Sequence, residues 1–569
     1  MNAIRKACAA GYERLAARAD LLDRINVFPV ADQDTGVNLR LTLVPLRETT
    51  SAPEHCQQQV NQSAHGNSGN IAAAFLAPLL GLTVLADLPQ AFIHGHCNAR
   101  QAVLTPLDGT MLDVFACLAT EATPQVLADK DSAQGLLIAL QESVLATAQI
   151  LPEHRAAKVV DAGALAMFFF FEGFFAELYA WPTLLKSATY RFPELLHVAT
   201  TYHGQTDNRA SCVHAIVHTK TIPETESLHA LGTSVVARHD GNTLNLHFHS
   251  DNPEQSREQL SRFGTLKSLQ KEGLAPRVTA PNGPIHGPST IHLLTDAAGS
   301  ISRDQALEED ITLLDSYILF NDEARPETLW QATTLYQALR QGKKVTTAQA
   351  SLRERGQHYE SALEQYGKSL YLCVGSVYTG NYAAALAWKK EHDALNHLFI
   401  VDTGAASGRL ACIVLLASRL NRQGLAKEEL LVKIRELCVK SEEFVFIDDM
   451  KYLVASGRVS RAKGFAGKLL QLKPVISPLA DGVCKRGVVH SHKGQLEFAL
   501  TQARRFLQTA PLVLLQYSDN EDWVREYVLP ELQVLLPTAT ILVTPLSLTS
   551  GVHMGPGTWA LAICPQPEE

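Results

Sequence analysis

The chain has 569 residues, too many for a single hydrophobic core, so two to four domains are expected. Its composition, 46% hydrophobic and 19% charged, is typical of a folded, soluble protein. The net charge of −8, without a long basic run, argues against nucleic acid and anionic membranes as partners. Ten scattered cysteines with no C-x-x-C pair, and a start without an apolar signal core, favour a cytoplasmic protein.

The first part of the chain, residues 1–186, is predicted to be a mostly helical domain. Alanine and leucine recur at helical spacing in the stretches 3–22, 71–80, 111–120 and 133–148. The most apolar run, 162–181, is interrupted by Glu172 and Glu177. Because charges near the centre of a membrane span are costly, this run is predicted to be a buried core helix and not a transmembrane segment.

The composition changes after the helical part. Residues 192–276 are rich in β-branched residues and histidine, with strands expected at 213–217 and 244–249, so a small α+β module is predicted. Residues 277–288 are dense in proline and glycine and are predicted to be a linker. From 289 to 569, strand-like runs at 291–295, 344–347, 369–374 and 398–402 alternate with helices such as 381–391 and 408–420. This alternation predicts an α/β domain with a parallel sheet.

The segment 26–38 carries two carboxylates one residue apart, Asp32 and Asp34. Pro29 and Gly36 indicate a loop, since proline fixes φ and glycine permits unusual φ. In an extended loop, residues i and i+2 point to the same side, so both carboxylates can converge on one cation. Mg²⁺ prefers one or two carboxylates plus phosphate oxygens. The alternative is a solvated turn, because Asp, Asn and Gly are ordinary turn residues.

Three further loops each precede a predicted helix, at residues 66–70, 106–112 and 160–163. The first, Gly-Asn-Ser-Gly-Asn, is a glycine-rich turn that can present backbone N–H groups to phosphate oxygens, and Ser68 adds a hydroxyl. The alternative is plain helix capping, by a serine or asparagine in the first loop and by Asp108 and Asp161 in the other two.

In this order, the four segments resemble the nucleotide-binding (DhaL) domain of dihydroxyacetone kinases and, more closely, the catalytic domain of bacterial fatty acid kinases. That family shows N-V-F-P-V-P-D-G-D-T-G-T-N, then G-N-S-G, E-G-T and V-D-S-G-G-Q-G. The resemblance implies an all-α, barrel-like bundle that holds ATP and Mg²⁺, with Asp32 and Asp34 as the catalytic metal ligands. It also implies a set of nucleotide-binding residues: Asn26, Asn38, Gly66, Asn67, Ser68, Gly69, Gly109, Thr110 and Met111.

Several positions depart from the family pattern. Asn26 stands where dihydroxyacetone kinases have a further metal-binding aspartate, Gln33 replaces the glycine between the two aspartates, and His65 replaces an arginine. Residues 163–166, Gly-Ala-Leu-Ala, replace G-G-Q-G. The lost arginine would weaken phosphate stabilisation, and the lost glycines would tighten the nucleotide pocket.

The segment 244–249, Leu-Asn-Leu-His-Phe-His, alternates so that His247 and His249 share the polar face of a strand, an arrangement suited to one metal. Zn²⁺ needs at least a third ligand; Cys212 is the first choice, and His214 shares its face. Fatty acid kinases have a similar cysteine and an H-x-H-T-D-N-P segment, which implies a structural Zn²⁺ at Cys212, His247 and His249. The alternative is that the histidines line an exposed strand and Cys212 lies in the core.

Five short motifs follow in the C-terminal domain, at residues 347–351, 376–382, 456–460, 472–476 and 553–557. Singly, each is typical of a turn with hydroxyls or glycine. As an ordered set they resemble the DegV family, fatty-acid-binding proteins that present their ligand to fatty acid kinases. The resemblance implies an apolar tunnel for the fatty acid tail, with the carboxylate bound by Thr347, Ser376, Thr379, Arg458 and His553.

Together these resemblances imply a fused fatty acid kinase, in which ATP and a bound fatty acid give acyl phosphate and ADP. Fusion raises the effective concentration of the acceptor, because docking becomes intramolecular. A homodimer would be a second way for the two sites to meet. Two alternatives stay open: a fatty-acid-binding or regulatory protein with a weak or inactive kinase domain, and a dihydroxyacetone-type kinase.

Overall fold

A computed structural model of the chain describes residues 3–181, 188–202, 211–273, 291–456 and 473–566. The chain divides into two compact units, Met1–Gly283 and Pro284–Glu569. The division falls within the predicted linker, 277–288, whose own residues lie outside the described ranges.

The helical part of the first unit agrees with the sequence prediction. One predicted helix, 3–22, is in fact two helices separated at Ala17 and Arg18. The helices of this part are α1 (Ala3–Ala16), α2 (Ala19–Arg24), α3 (Thr35–Leu43), α4 (Pro53–Ser63), α5 (Gly66–Leu80), α6 (Leu88–Ala102), α7 (Met111–Glu121), α8 (Pro124–Ala128), α9 (Lys130–Ile150), α10 (Pro152–Ala157), α11 (Ala162–Leu178) and α12 (Ala188–Arg191).

Helix α11 forms the core of this part and is buried along most of its length. It lies directly against α1, because glycines let the two backbones approach. A Cβ atom on Gly11 would be 2.6 Å from the carbonyl oxygen of Phe170, and one on Gly173 would be 2.7 Å from that of Ala10. These distances are shorter than ordinary van der Waals contact, so the two helices could not pack this closely with larger residues.

The prediction of a buried core helix at 162–181 is therefore confirmed. Its charged residue Glu172 is 1% exposed and forms ion pairs with Arg14 and, at 3.3 Å, with Arg191. Buried charges are tolerated when they are paired in this way. Within the described ranges, no helix has both the length and the apolarity needed to cross a membrane.

The middle module is a four-stranded antiparallel sheet with helices on one face. Its elements are β1 (Ser211–His218), α13 (Thr225–His229), β2 (Thr233–Asp240), β3 (Thr243–Ser250), α14 (Pro253–Phe263) and β4 (Thr265–Gly273), and the strand order is β2-β3-β1-β4. Val213, Val217, Leu246 and Phe248 pack with Leu260 in the core of the module, as the alternation of the two predicted strands requires.

Within its described residues, 291–456 and 473–566, the second unit contains three sheets and the helices that cover them. Its elements are β5 (His292–Asp296), α15 (Arg303–Glu308), β6 (Ile311–Leu314), β7 (Tyr317–Phe320), β8 (Glu323–Pro326), α16 (Ala332–Arg340), β9 (Thr346–Ala348), α17 (Leu352–Tyr366), β10 (Ser369–Cys373), α18 (Asn381–His392), β11 (Leu398–Asp402), α19 (Ser407–Arg422), α20 (Lys427–Lys440), β12 (Glu442–Phe446), α21 (Met450–Ala455), β13 (Lys473–Leu479), β14 (Gly482–Val489), α22 (His492–Ala503), β15 (Leu512–Tyr517), α23 (Glu521–Trp523), α24 (Leu529–Leu535), β16 (Thr540–Pro545), α25 (Leu548–Met554) and β17 (Trp559–Cys564).

The prediction of a parallel sheet is correct for only part of this unit. The sheet β11-β10-β5-β6 is parallel, but the six-stranded sheet β14-β13-β12-β17-β15-β16 is antiparallel except between β15 and β16, and β8-β7-β9 is antiparallel. Only two residues, Ala480 and Asp481, connect β13 to β14. A connection this short can join only antiparallel strands, whereas parallel neighbours need a crossover. Helix α19 is buried within a core that includes residues of both larger sheets.

Candidate nucleotide pocket, metal cluster and carboxylate site

The four predicted loops of the helical part meet at one cavity of about 440 Å³. This volume is within the range of small-molecule sites. Each loop contributes to the lining: Phe28, Pro29 and Thr35 from the first, Asn67 and Ser68 from the second, Thr110 and Met111 from the third, and Asp161 and Gly163 from the fourth. Segments far apart in sequence thus line one cavity. Of the predicted nucleotide-binding residues, Asn67, Ser68, Thr110 and Met111 line it, whereas Asp32 and Asp34 are not among the lining residues.

The two carboxylates of the first loop lie close together at the start of helix α3. The pKa of Asp32 is raised well above its usual value, first by burial and then by the charge of Asp34 and a hydrogen bond between the two carboxyl groups. Asp34 is the N-cap residue of α3, yet its side chain makes no cap hydrogen bond. Asp23 takes that role, because its Oδ1 accepts from the N–H groups of Gly36 and Val37 at 2.6 and 3.2 Å. The carboxylate of Asp34 is therefore not used for capping.

Asn26 supports this loop through its side-chain amide. Its Nδ2 donates to Oδ1 of Asp32 at 2.6 Å, and its Oδ1 accepts from the hydroxyl of Thr35 at 3.0 Å. Asn26 is buried and thus connects one carboxylate to a residue that lines the cavity. The structure assigns it an orienting contact with Asp32; a direct contact of Asn26 with the nucleotide or metal stays a prediction.

Gln33, the departure between the two aspartates, has φ +57°. This left-handed conformation is the one that glycine adopts without strain, which explains why the resembled family has glycine there. Gln33 thus adopts the left-handed backbone conformation that glycine would adopt at this position, although this conformation is strained for a residue with a side chain. The substitution does not separate Asp32 from Asp34.

The second loop is shaped by close packing of α5 on α3. Gly66 has φ +64°, and a Cβ on it would overlap the side-chain amide of Asn38. A Cβ on Gly69 would overlap the hydroxyl of Thr42. Both glycines are therefore required by helix packing, and buried Asn38 lies behind Gly66.

The N-terminus of α5 is suited to an anion. His65, its N-cap residue, makes no side-chain cap hydrogen bond. Ser68 is 7% exposed, and among the described residues neither its hydroxyl nor the side-chain oxygen of Asn67 has a hydrogen-bond partner. Buried polar groups are nearly always paired, so a hydroxyl left without a partner at a cavity wall indicates a ligand position.

The third and fourth loops cap their helices. Thr110, and not Asp108, is the N-cap residue of α7, and Asp113 accepts from the N–H groups of Gly109 and Thr110 at 2.6 and 2.8 Å. The expectation of a cap at Asp108 is wrong, because Asp108 is exposed and lies 3.6 Å from Arg100. Gly109 has φ +88°, a conformation that favours glycine.

Asp161 is the N-cap of α11, with Oδ1 accepting from the N–H of Ala164 at 2.7 Å. Burial raises its pKa, and nearby His154, whose Nε2 is 3.5 Å from Oδ2, counteracts that shift. Ala164 and Ala166, which stand where the resembled family has glycine, are fully buried in α11. Of these two alanines and Gly163, only Gly163 lines the cavity.

One wall of the cavity was missed by the sequence prediction. It comes from the middle module, through residues 229–236, and from the chain that follows α6, residues 103–105. No local motif marks these segments. Their contribution depends on how the module packs against the helices, which residue spacing does not encode.

The predicted zinc ligands Cys212, His247 and His249 come together on one face of the module's sheet. Their ligand atoms all lie within 4.8 Å of one another, and the three residues are 5%, 2% and 4% exposed. Cys212 is paired directly with His249 across β1 and β3. The alternative of histidines on an exposed strand is therefore wrong, because the sheet face that carries them packs against the helical part.

The donor set fits zinc, which is bound by thiolate sulfur and imidazole nitrogen. Burial, and then the neighbouring His214, His249 and His65, hold the pKa of His247 well below its usual value. A neutral imidazole is the form that ligates a metal. His214, the competing ligand, has its Nδ1 3.3 Å from Nδ1 of His247.

In the second unit, Thr347 and His553 meet although 206 positions separate them. The hydroxyl of Thr347 is 3.1 Å from Nε2 of His553. Thr347 lies in β9, and His553 lies near the end of α25. This pairing agrees with a shared role in one polar site.

The other predicted carboxylate ligands are less directly connected. The hydroxyl of Thr379 accepts from the N–H of Asn381 at the start of α18, and the N–H of Ser376 donates to Asp402. Arg458, the predicted cationic ligand, lies outside the described residues. The roles of these three residues stay predictions.

Two family models match the chain. One, described as the DAK2 domain, matches residues 29–176, and the other, described as uncharacterised proteins of the DegV family, matches residues 290–566. The chain carries a DAK2 domain and a DegV domain. This confirms both predicted resemblances at the level of family. The middle module lies between the two matched ranges.

Individual relatives are distant. An uncharacterized protein of Staphylococcus saprophyticus is 25% identical over 295 residues, covering 46% of this chain and 53% of its own length, so the chain spans about half of that relative. A fatty acid-binding protein of Thermotoga maritima is 26% identical over 286 residues, covering 48% of this chain and 97% of its own. The solved structure of a DegV family protein from Thermus thermophilus, described as fatty acid binding, has 25% identity and a TM-score of 0.46, covering 48% of this chain and 99% of its own.

Proposed function

We propose that this chain is a fused fatty acid kinase. The DAK2 domain would bind ATP, and the DegV domain would hold a fatty acid. A carboxylate oxygen of the fatty acid would attack the γ-phosphorus, a new C–O–P linkage would form, and the bond between the γ-phosphorus and the bridging oxygen would break. The products are acyl phosphate and ADP, and no proton has to be transferred.

The observation that carries this proposal is the cavity lined by Phe28, Pro29 and Thr35, which belong to the loop that carries Asp32 and Asp34. The unpartnered hydroxyl of Ser68 and the N-terminus of α5 offer donors to phosphate oxygens in the wall of a cavity of about 440 Å³. Such an arrangement favours a nucleoside triphosphate over a small uncharged ligand such as dihydroxyacetone alone.

Asp32 and Asp34 would hold Mg²⁺, whose preferred ligands are carboxylate, water and phosphate oxygens. Mg²⁺ would neutralise the charge that develops on the phosphate oxygens during transfer. Asn26 would keep Asp32 oriented, and Asp23 would leave Asp34 available by capping α3 in its place. Catalysis of this kind rests on positioning and electrostatics and needs no nucleophile from the protein.

The proposed binding of the fatty acid, which accepts the phosphoryl group, is supported by contacts in the second unit. Thr347 and His553 provide two hydrogen-bonding groups at one place, as a carboxylate site requires. The name of the Thermotoga maritima relative supports a fatty acid as the ligand. A cytoplasmic location and a homodimer remain parts of this proposal, and the ten cysteines, all free in the structure, fit a reducing compartment.

The test uses the purified full-length chain with ATP, Mg²⁺ and a series of fatty acids. Acyl phosphate would be trapped with hydroxylamine as the acyl hydroxamate, and ADP would be measured in parallel. We expect hydroxamate that depends on both ATP and fatty acid, and its loss in Asp34→Ala. The control is Asp131→Ala, which removes an exposed carboxylate of α9 and should leave the rate unchanged.

Other outcomes would favour the alternatives. Fatty acid binding without ATP turnover at any chain length would support a binding or regulatory protein. ATP-dependent phosphorylation of dihydroxyacetone, with none of fatty acid, would support a dihydroxyacetone-type kinase.

A further inference from the structure

We propose that the 229–236 segment of the middle module is part of the nucleotide site and contacts the nucleoside portion of ATP. This inference rests on the proposed function, since it takes the ligand of the cavity to be a nucleotide. The segment contributes six residues to the cavity lining: His229, Gly232, Thr233, Ser234, Val235 and Val236. The DAK2 match ends at residue 176, so this wall comes from outside the matched domain.

The segment is firmly attached to the helical part. Val236 forms an antiparallel bridge with Val103, which directly follows α6, and packs against Ala74 and Ala102. Two positions further along β2, the guanidinium of Arg238 donates to the carbonyl oxygen of Asn61 at 3.1 Å. The cavity therefore lies between two parts of one packed structure, and its module wall has a defined position.

The backbone of the segment is irregular at the cavity. Thr233 pairs with His249 and Val236 pairs with His247, so two residues, Ser234 and Val235, oppose a single residue on β3. This is a β-bulge, and Ser234 has φ +53°. Bulges re-aim side chains and are frequent next to active sites, where strained residues also concentrate.

The chemistry of the two walls is complementary to a nucleotide. On the helical side, the unpartnered hydroxyl of Ser68 is a donor for phosphate, beside the N-terminus of α5. On the module side, Val235 and Val236 give apolar surface for a heteroaromatic base, and Thr233 and Ser234 provide hydroxyls for the ribose or the edge of the base. The triphosphate would lie along the first wall and the nucleoside against the second.

The experiment measures nucleotide affinity and not turnover. ADP binding to the full-length chain would be followed by calorimetry for the wild type, Thr233→Trp and Thr225→Trp. Thr233 is exposed within the cavity, so a larger side chain there fills the cavity without disturbing the core. Thr225, which is also exposed but lies at the start of α13, is the matched control.

We expect Thr233→Trp to weaken ADP binding at least tenfold and Thr225→Trp to leave it unchanged, with fatty acid binding and thermal unfolding the same in all three. ADP affinity unchanged in folded Thr233→Trp would overturn this inference and leave the proposed kinase intact. Absence of ADP binding to the wild type would overturn both this inference and the proposed kinase function. A gain in affinity from Thr233→Trp, through stacking of the indole on the base, would support the inference as well.

Discussion

The ring of His65 stacks on the ring of His214, with centroids 3.9 Å apart and planes at 15°. His65 precedes helix α5 and occupies the position where the resembled family has arginine, while His214 lies opposite His247 in the sheet of the middle module. The loop proposed to bind phosphate is therefore in contact with the histidine cluster. A second connection lies nearby, because Gly232 fits against the carbonyl oxygen of His249 and has no room for a side chain.

These two contacts predict that the metal cluster and the nucleotide pocket are linked. We expect the purified chain to contain about one zinc and Cys212→Ser to lose it, with nucleotide affinity falling about threefold to tenfold, or about 1 kcal/mol. Metal content would be measured by mass spectrometry and affinity by calorimetry. Cys97→Ser, which changes an exposed cysteine of α6, is the control. Full zinc content in folded Cys212→Ser would rule out this cluster as the metal site.

The left-handed backbone at Gln33 makes a prediction about stability. Because φ is +57° there, Gln33→Gly should relieve strain and be neutral or stabilising by up to about 1 kcal/mol. The same change at Gln134, exposed in helix α9, should destabilise by about 1 kcal/mol, because glycine is a poor helix residue. Chemical denaturation would compare both. Equal losses of stability would show that Gln33 is not strained.

The contact between Thr347 and His553 predicts coupled effects on fatty acid binding. We expect His553→Ala and Thr347→Val each to weaken binding of a fluorescent fatty acid by about tenfold or more, since hydrogen bonds to a charged group contribute about 1.5–3 kcal/mol. The double variant should lose less than the sum of the two, because both groups would act on one carboxylate. His490→Ala, at an exposed position, is the control. Strict additivity would argue against a shared site.

Buried Glu327 predicts how the second unit responds to pH. Burial, and then the charge of Asp315, raise its pKa to about 8, and Oε2 accepts from the N–H of Thr549 at 3.0 Å. Between about pH 4.5 and 8 the folded state holds a proton that the unfolded state has released. The contribution of Glu327 to the free energy of unfolding is therefore fully present below about pH 4.5. It is lost as the pH rises towards 8, by up to about 1.4 kcal/mol per pH unit.

The substitution Glu327→Gln should remove this slope, because the amide does not titrate and its oxygen can still accept from Thr549. Denaturation midpoints at pH 5, 6.5 and 8 would measure it. Glu308→Gln, at an exposed position of α15, should keep the slope of the wild type. A slope that persists in Glu327→Gln would assign the effect to another group.

The sequence by itself determined local features of this protein: its helices, its loop motifs and the faces of its strands. The periodicity of apolar residues predicted α5, α7, α9 and α11 within a few positions, because a helix must bury one face whatever its partner is. The four loops were recognisable as a set because, in their order along the chain, they resemble the motifs of a known kinase family. The alternation of residues 244–249 was enough to put His247 and His249 on one face of a strand.

Contacts between distant segments were decided by the tertiary structure. Asp23 caps α3 in place of Asp34, Thr110 caps α7 in place of Asp108, and the module wall at 229–236 completes the cavity. The antiparallel part of the six-stranded sheet also had no signal in the alternation of strands and helices. Residue spacing specifies which groups share a face within one element, whereas the faces that meet depend on packing the whole chain. The carboxylate pair at Asp32 and Asp34 was therefore predictable as a pair, and its surroundings were not.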